Sequence, residues 1–444
     1  MNTNAGFGKN NWLILLLFGI IGQIAWSVEN MYFNVFVYET IAKDLNTITL
    51  MVQLSGVMAT VATLIAGALS DRVGNRRLFI SVGYAIWGIT VALFGLLSPE
   101  LIGGIFGLGL DKAISLTLVF VVVGDCVMTL FGSTANDAAF NAWVTDNTRA
   151  SFRGTVEGVL AVLPLAAMLA VVGGMGILVG ILGSYSAVFI LLGVIISLSG
   201  VLGIFIIKDS DTLQKNGTVK DIFYGFRPSV VKSNKSLYVA LLIVLVYGIS
   251  CQIFMPYLII YMREYLGFSE LEYSAVFAVA IAAGAAINIY LGKLSDRMNK
   301  KKLLYVASGI MASGLFAMYF SRNMGHLPTL ILFGVSGFVM ITGYIFVSAL
   351  SGAIVRDNTP PESAGKLQGV RMVFSVLIPM IFGPMIGNGI NKAVNVPLPD
   401  AGADAMTTEY IPAPEIFLAG AVVSCLLVVF VRLLVWVDNR SENE

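Results

Sequence analysis

The sequence predicts an all-α polytopic membrane protein with twelve transmembrane helices in two related halves. Three observations predict it: an apolar composition, twelve apolar runs long enough to cross a bilayer, and a loop motif that occurs twice. Of the 444 residues, 57% are hydrophobic and only 12% are charged. A soluble chain of this length needs far more charge on its surface, so much of this chain must face lipid.

The transmembrane helices are located by their length, because a helix needs about 20 apolar residues to cross the bilayer. The predicted spans are 12–37, 48–69, 78–98, 114–140, 155–182, 184–207, 237–262, 271–291, 303–321, 328–352, 367–391 and 414–437. The first run is too long for a signal peptide and has no small-residue cleavage site after it. Because twelve is an even number, both termini lie on one side of the membrane.

The distribution of lysine and arginine predicts which side that is, since cytoplasmic loops carry an excess of positive charge. With both termini inside, 22 of the 27 basic residues lie in inner loops. We therefore expect a multi-pass protein of the plasma or inner membrane with cytoplasmic termini.

The longest polar stretch, residues 208–236, divides the chain into six spans on each side. The predicted domains are 1–207, a cytoplasmic linker at 208–236, and 237–444. Apolar residues in the linker recur at roughly helical spacing: Val219, Ile222, Phe223, Phe226 and Val230. The linker is either an amphipathic helix on the inner membrane surface or a mobile connection.

The composition also excludes several function classes. The net charge of +1 disfavours nucleic acid as a partner. Cys126, Cys251 and Cys425 all lie inside predicted spans and read as small hydrophobic residues. The single histidine, His326, lies in a short loop, which disfavours a histidine-based metal site or a Ser-His-Asp hydrolase. We expect no catalytic residues, no metal and no cofactor, and therefore not an enzyme.

A loop motif follows the second and the eighth span. Residues 67–77 read Gly-Ala-Leu-Ser-Asp-Arg-Val-Gly-Asn-Arg-Arg, and residues 292–302 read Gly-Lys-Leu-Ser-Asp-Arg-Met-Asn-Lys-Lys-Lys. The aspartate can cap a helix N-terminus or pair with an arginine, and the basic cluster holds the loop inside. The motif resembles the signature loop of the major facilitator superfamily, with Asn75 in place of its first basic residue.

Two further matches indicate that the halves arose by duplication. Asp146-Asn147-Thr148 and the glycines after it match Asp357-Asn358-Thr359 at an offset of 211 residues. Gln23 and Tyr32 match Gln252 and Tyr261 at an offset of 229.

The resemblance implies the MFS fold, in which two pseudo-symmetric six-helix bundles face each other across a central cavity. It also implies that the loop residues stabilise one end state of an alternating-access cycle. The expected gating residues are Gly67, Asp71, Arg72, Asp146, Asp296, Arg297 and Asp357.

Polar side chains on two N-terminal spans are the first candidates for a binding site. Gln23, Ser27, Asn30 and Asn34 share one helix face, which should line the cavity or bond to a neighbouring helix. A second stripe on the fourth span contains Asp125, Thr129, either Gly132 or Ser133, and Asn136. Asp137 and Asn141 lie on a different face, where packing or hydrogen bonding at the inner gate is favoured over substrate contact.

Glu29 and Asp125 are the candidates for cation coupling. Counted from Trp12 and Trp143, both lie about 26 Å into the membrane at about 1.5 Å per residue. Two carboxyls at one depth could bind a cation, share a proton or accept hydrogen bonds from hydroxyl groups. Glu29 lies off the polar stripe of its own helix, so we give it the supporting role.

The C-terminal half offers amides and aromatic rings instead of acids. The twins of Asn136 and Asp137 at the offset of 211 are Val347 and Ser348. The expected substrate-binding residues across both halves are Gln23, Asn30, Asn34, Asp125, Asn136, Gln252, Tyr257 and Tyr344.

Within the superfamily, the chain is similar to the glycoside–pentoside–hexuronide:cation symporters. The similarity rests on the acids in spans one and four, the Trp-rich approach to Asp146 and the Arg/Glu-Gly-type sequence after both inner loops. It implies symport of a small solute, a sugar or glycoside, with a cation. Span two lacks the carboxylate pair with which that branch binds sodium, so a proton is the simpler coupling ion.

Two other function classes stay open. One is a proton-coupled exporter of drugs or lipids, although the fourth span lacks the arginine that proton-driven drug antiporters usually carry. The other is a non-transporting sensor or intramembrane enzyme, which would need convergent reactive groups that the sequence hardly offers. The expected partners are a small-molecule substrate, a proton or sodium ion and the lipid bilayer, and we expect the protein to act as a monomer.

Overall fold

The structure is a computed structural model and describes residues 7–148, 153–210, 219–295, 298–322, 324–360, 367–397 and 410–441. Within these ranges, twelve helices are long and apolar enough to cross a membrane. They correspond one to one to the predicted runs. We number them spans 1 to 12 in chain order.

The six N-terminal spans extend beyond several of the apolar runs that predicted them. Spans 1 to 6 are Lys9–Thr40, Leu45–Val73, Arg76–Phe94, Leu110–Asn147, Gly158–Leu182 and Tyr185–Ile206. A short helix, Pro99–Phe106, lies between spans 3 and 4, and the Ser98 hydroxyl caps it by accepting from the Leu101 N–H. The helix of span 5 itself begins at Arg153.

The six C-terminal spans follow the same plan. Spans 7 to 12 are Lys235–Tyr265, Glu270–Asn288, Lys300–Phe320, His326–Asp357, Gln368–Val394 and Glu415–Arg440. The helix of span 8 runs on to Ser295. Between spans 11 and 12, Val396–Pro397 and Tyr410–Ile411 form a two-stranded antiparallel sheet with Val396 opposite Ile411.

The linker forms two short helices instead of one amphipathic α-helix. Val219–Phe226 is a 3₁₀-helix and Pro228–Ser233 is an α-helix. Pro228 separates them, because proline disfavours a helical conformation in the residue before it. Phe223 is 67% exposed, whereas Gly225 packs against Val370 of span 11.

The chain divides into two compact units, which we call the N-terminal and the C-terminal unit. The first contains residues 1–42 and 57–221, and the second contains 43–56 and 222–444. The boundary therefore passes through span 2, and the first part of that helix belongs to the C-terminal unit.

Close helix contacts define the core of each unit. In the N-terminal unit, spans 3 and 6 meet so closely that a Cβ on Gly88 would lie 2.3 Å from the Gly193 carbonyl oxygen. In the C-terminal unit, spans 9 and 10 meet where a Cβ on Gly314 would lie 2.3 Å from the Met340 nitrogen. Glycine is required at both places because any side chain would force the backbones apart.

Four spans contain a π-helical turn. These turns are Glu29–Phe33 in span 1, Ser133–Phe140 in span 4, Tyr261–Tyr265 in span 7 and Val373–Leu377 in span 11. Spans 1 and 7 are duplicates, and their π-turns lie at nearly corresponding positions. Such turns are rare and often lie at functional sites, so they direct attention to the residues they contain.

Candidate functional site

The two coupling candidates lie in the interior of the N-terminal unit. Glu29 is 6% exposed and its Oε1 accepts a hydrogen bond of 2.8 Å from the Thr129 hydroxyl. Asp125 is 2% exposed and lies one helical turn before Thr129 on span 4. Glu29 is the first residue of a π-turn, and its hydrogen bond with Thr129 places its carboxyl beside the polar stripe that contains Asp125. Two buried carboxyls therefore lie in one region of the unit, where an ionised group is costly.

A cluster of aromatic and polar side chains lies further along span 4. The Tyr84 hydroxyl donates to the Phe18 carbonyl oxygen at 2.7 Å and accepts from the Asn136 amide at 2.6 Å. Gly22 makes room for Asn136, since a Cβ there would lie 1.8 Å from the amide nitrogen. Asn136 is therefore occupied by contacts within its own unit.

Asp137 adjoins this cluster, and sequence reasoning did not include it among the site residues. Its carboxyl lies close to the Ser133 hydroxyl and the Trp26 indole, and Trp26 contacts Trp87 with ring centres 5.1 Å apart. Ser133 and Asp137 both belong to the π-turn of span 4. The signal that could have found Asp137 was its ionisable group inside an apolar span.

The polar stripe of span 1 bonds mainly along its own helix. The Ser27 hydroxyl and the Asn30 amide donate to the carbonyl oxygens of Gln23 and Trp26, both at 2.8 Å. Asn34 is 1% exposed and its amide donates to the Asn30 carbonyl oxygen at 3.3 Å. Gln23 is half-buried and Asn30 is exposed.

The first signature loop is organised by Arg76, which is 6% exposed. Its guanidinium forms ion pairs with Asp71 and with Asp146, the latter at 3.1 Å, and donates to the Ser70 hydroxyl at 2.5 Å. Of the other expected gating residues here, Gly67 accepts a hydrogen bond from Ser70, and Arg72 is exposed. Asp71 was expected either to cap a helix N-terminus or to pair with an arginine, and the structure shows that it pairs with Arg76.

The second copy repeats part of this network. Lys300, the counterpart of Asn75, pairs with Asp357 at 2.6 Å, whereas Lys301, the counterpart of Arg76, pairs with Asp438. The Asp357 side chain is 56% exposed, so this pair is more solvated than its N-terminal counterpart. Asp296 and Arg297 lie outside the described residues.

Asparagine caps explain where the two copies depart from the signature. Asn75 caps span 3, because its side-chain oxygen accepts from the Leu78 N–H at 2.9 Å. Asn299 caps span 9 by accepting from the Lys301 N–H, also at 2.9 Å. Asparagine at a helix N-cap stabilises the helix start, a role that a basic residue cannot fill.

Two aromatic candidates of the C-terminal unit occupy different environments. Tyr344 is half-buried and packs against Tyr247 with ring centres 5.6 Å apart. Tyr257 is fully buried, and its hydroxyl contacts the Thr49 hydroxyl at 2.8 Å and the Pro384 carbonyl oxygen at 3.0 Å. Gln252 is half-buried at the contact of span 7 with Gly383 of span 11.

Residues 43–56 are bound within the C-terminal unit by a set of polar contacts. The Asn388 amide donates to the Asn46 side-chain oxygen at 2.9 Å, and the Tyr410 hydroxyl donates to Asn388 at 2.9 Å. Burial and the negative charge of nearby Asp44 raise the pKa of Tyr410, which keeps this hydroxyl a donor. Lys43 pairs with Glu264 at 3.0 Å. Tyr257, which contacts Thr49, therefore belongs to the set of contacts that binds residues 43–56 within the C-terminal unit.

A cavity of about 170 Å³, lined mostly by apolar surface, lies between spans 7, 10 and 11 of the C-terminal unit. Tyr247, Ser348, Ser351, Arg371 and Ser375 are among the residues that line it. Sequence reasoning treated Arg371 only as an inner basic residue. In the described part of the chain, no group of three or more histidine, cysteine, aspartate or glutamate side chains is placed to hold a metal ion.

The fold and these interiors define a twelve-span membrane protein built from two duplicated halves, each with polar groups buried inside it. The chain belongs to the Major Facilitator Superfamily, whose sequence profile matches residues 15–384.

Solved structures and a curated protein show further similarity. Crystal structures of the nucleoside transporter NupG superimpose with TM-scores of 0.66, for a point mutant, and 0.65. Sequence identity is 13% and 12%; the alignments cover 95% of this chain and 99% and 98% of those chains. The chloramphenicol resistance protein CraA of Acinetobacter baumannii is 29% identical over 107 residues, which is 24% of each chain. The matched part thus spans about a quarter of that relative.

Proposed function

We propose that this protein is a secondary transporter that moves a small solute by alternating access and couples it to a cation, most simply a proton. Membership of the superfamily supports the transport class. The observation that carries the coupling is the buried Glu29–Thr129 hydrogen bond with Asp125 one turn away. We also propose that both termini lie in the cytoplasm, because most lysine and arginine residues fall in the loops on the side of the termini.

The chemistry of coupling follows from burial. An apolar interior disfavours a charged carboxylate, so a carboxyl there binds a proton and releases it when water reaches it. Thr129 stabilises the ionised form of Glu29 by donating to it, which prevents the release from becoming prohibitively costly. Asp125 is the primary proton carrier in this scheme, and Glu29 assists it.

The substrate we propose is a sugar or a glycoside. Half-buried Gln23 and exposed Asn30 offer amides that can hydrogen-bond to sugar hydroxyls, and the Tyr344 ring offers a face for stacking. The structural neighbours are named as nucleoside transporters, and nucleosides are themselves N-glycosides. Cation-coupled symport of a glycoside therefore agrees with both the resemblance and the site chemistry.

The test is uptake of labelled glycosides and nucleosides into proteoliposomes with and without an imposed pH or sodium gradient. Asp125→Asn should abolish uphill accumulation but preserve downhill exchange, because an amide keeps the shape and carries no proton. Glu29→Gln should do so more weakly. Asp111→Asn is the matched control, since Asp111 lies on the same span and is exposed. Gradient-driven accumulation at wild-type rates in the Asp125–Glu29 double variant would show that these two carboxyls are not the coupling site.

A proton-coupled exporter is the second candidate. The similarity of a 107-residue stretch to CraA favours it, because that protein is named for chloramphenicol resistance. Proteoliposomes with the gradient reversed and chloramphenicol as the solute distinguish the two. Transport of chloramphenicol against its concentration gradient, with no uptake of any glycoside, would show that the protein is an exporter and not a symporter.

A further inference from the structure

We propose that the linker between the two halves docks on the anionic lipid surface of the inner leaflet. The docking surface consists of two exposed phenylalanines and three exposed cations, Phe223, Phe226, Arg227, Lys232 and Lys235, which we call the linker face. Its occupant is the headgroup and upper acyl region of an anionic phospholipid such as phosphatidylglycerol. The inference goes beyond the proposed function, because it concerns neither the solute nor the coupling ion.

The two phenylalanines lie on one side of the 3₁₀-helix Val219–Phe226. A 3₁₀-helix has three residues per turn, so side chains three positions apart, here Phe223 and Phe226, are eclipsed. Phe223 is 67% exposed and Phe226 is 44% exposed. Single exposed apolar side chains need no explanation, whereas adjoining ones mark a surface that a partner or a membrane covers.

Contacts of Gly225 fix the depth of this pair relative to the membrane. The Gly225 carbonyl oxygen accepts a hydrogen bond from the Tyr238 hydroxyl, and a Cβ on Gly225 would lie 2.9 Å from the Val370 side chain. Tyr238 and Val370 lie in the first turns of spans 7 and 11. The linker face is therefore held where these spans leave the hydrocarbon core, which is the depth at which amphipathic segments bind a bilayer.

The cations of the linker face are available to lipid headgroups. Residues 222–236 contain three basic residues and no acidic residue. Arg227, Lys232 and Lys235 are exposed, and in the described part of the chain none of them has an ion-pair partner. Arg227 lies over the Tyr224 ring at 5.6 Å, a contact that leaves the edge of the guanidinium open to phosphate oxygens.

Charge complementarity selects an anionic lipid as the occupant. The carboxylate at the end of this segment, Asp438, accepts from the Ser236 hydroxyl and pairs with Lys301, so its charge is already matched. On the proposed topology the linker faces the cytoplasmic leaflet, whose anionic lipids attract basic residues beside a span. Apolar rings together with basic residues are the combination that holds a segment at such an interface.

The test uses the full chain in nanodiscs, with a bimane fluorophore on Phe226→Cys in a background where Cys126, Cys251 and Cys425 are replaced by alanine. The discs contain phosphatidylcholine and phosphatidylglycerol, and one of the two lipids carries bromine on its acyl chains to quench the fluorophore by contact. Both brominated lipids should quench. Brominated phosphatidylglycerol should reach half-quenching at about a fivefold lower mole fraction, the effect of one engaged basic residue.

Charge variants test which residues recognise the headgroup. Combined Arg227→Gln, Lys232→Gln and Lys235→Gln should abolish the difference between the two lipids, whereas the apolar contact should persist. Lys208→Gln is the matched control, because Lys208 is exposed in the same linker but lies outside the linker face. Raising the salt concentration to about 1 M should also remove the difference, since exposed charges are screened.

A second label, on Phe223→Cys, gives the same measurement if Phe226→Cys folds poorly. Absence of quenching at both positions would show that water or another protein covers the face, and would overturn the proposal. Equal quenching by the two lipids before any charge is removed, or a preference that survives the triple change, would overturn it as well. The measurement needs no solute, gradient or known orientation, because both leaflets of a nanodisc have the same composition.

Discussion

Removal of the Arg76 guanidinium should destabilise the N-terminal unit and release the first signature loop. Arg76→Gln loses ion pairs with Asp71 and Asp146 and weakens the bond to Ser70. The Arg76 side chain is only 7% exposed, whereas those of Asp71 and Asp146 are 43% and 26% exposed. The two carboxylates can therefore recover water after the change.

The magnitude lies between two limits. Breaking a buried ion pair costs about 3–5 kcal/mol, and an exposed pair contributes about 0.2–1 kcal/mol. With a buried cation and partly solvated anions, we expect the free energy of unfolding to fall by about 2–3 kcal/mol. For a cooperative unit of about 200 residues, this corresponds to a fall in melting temperature of roughly 4 °C or more.

The assay is thermal unfolding of the detergent-purified protein, followed by tryptophan fluorescence at low and at high salt. Arg77→Gln is the matched control, because Arg77 is exposed and loses the same charge one residue further on. Its effect should stay within about 0.5 kcal/mol. The Arg76→Gln effect should persist at high salt, since a buried pair is little screened. Equal melting temperatures for the two variants would refute the argument that Arg76 organises the loop.

Three other predictions concern the first signature loop, the contact between Tyr257 and Thr49, and the membrane topology. Asp71→Asn should slow transport and leave equilibrium ligand binding within a few-fold, as a gating residue requires; abolished binding in a folded variant would contradict this. Tyr257→Phe and Thr49→Val should each cost about 1 kcal/mol, and the double variant less than their sum because they lose one shared contact; full additivity would argue against the contact. Cysteines at positions 112 and 301 in a Cys-free background should label from opposite sides of sealed cells, and labelling of both from outside would reverse the topology.

The number and order of the spans could be predicted from the sequence because hydropathy reports the need to satisfy backbone groups inside lipid. The ends of the spans could not. Span 4 was expected at 114–140 and runs from Leu110 to Asn147, because helices continue through polar residues into the interface. Hydropathy marks the lipid-facing stretch, whereas caps such as Asn75 decide where a helix starts.

Features that depend on tertiary packing could not be predicted from the sequence. From the sequence, Asp71 could either cap a helix or pair with an arginine. Only the folded loop shows that Arg76 lies between the carboxylates of Asp71 and Asp146. Accepting hydrogen bonds from hydroxyl groups was one of three roles left open for Glu29 and Asp125, and only the structure shows that Thr129 donates to Glu29. Assignment of residues 43–56 to the C-terminal unit likewise depends on contacts far apart in the chain.

Comparison of the duplicated halves separates shared machinery from acquired chemistry. Each half has an ion pair between a basic residue of its signature loop and the aspartate at the offset of 211, although the basic residues are one position apart in the motif: Arg76–Asp146 in the first half and Lys300–Asp357 in the second. A pair in each half agrees with a role in a movement that both halves undergo. Asp137 and Arg371 have no charged twin, since the positions at the offset of 211 are Ser348 and Leu160.

The two unmatched residues differ in environment, because Asp137 lies half-buried within span 4 whereas Arg371 is exposed near the start of span 11. Asp137 adjoins Trp26, whereas its twin Ser348 lines the cavity with Arg371. The N-terminal half thus carries an acid inside a span at a position where the C-terminal half carries a serine. A charge placed inside an apolar bundle is costly to retain without a function. We infer that the acids inside the N-terminal unit are retained for the proton movement proposed above.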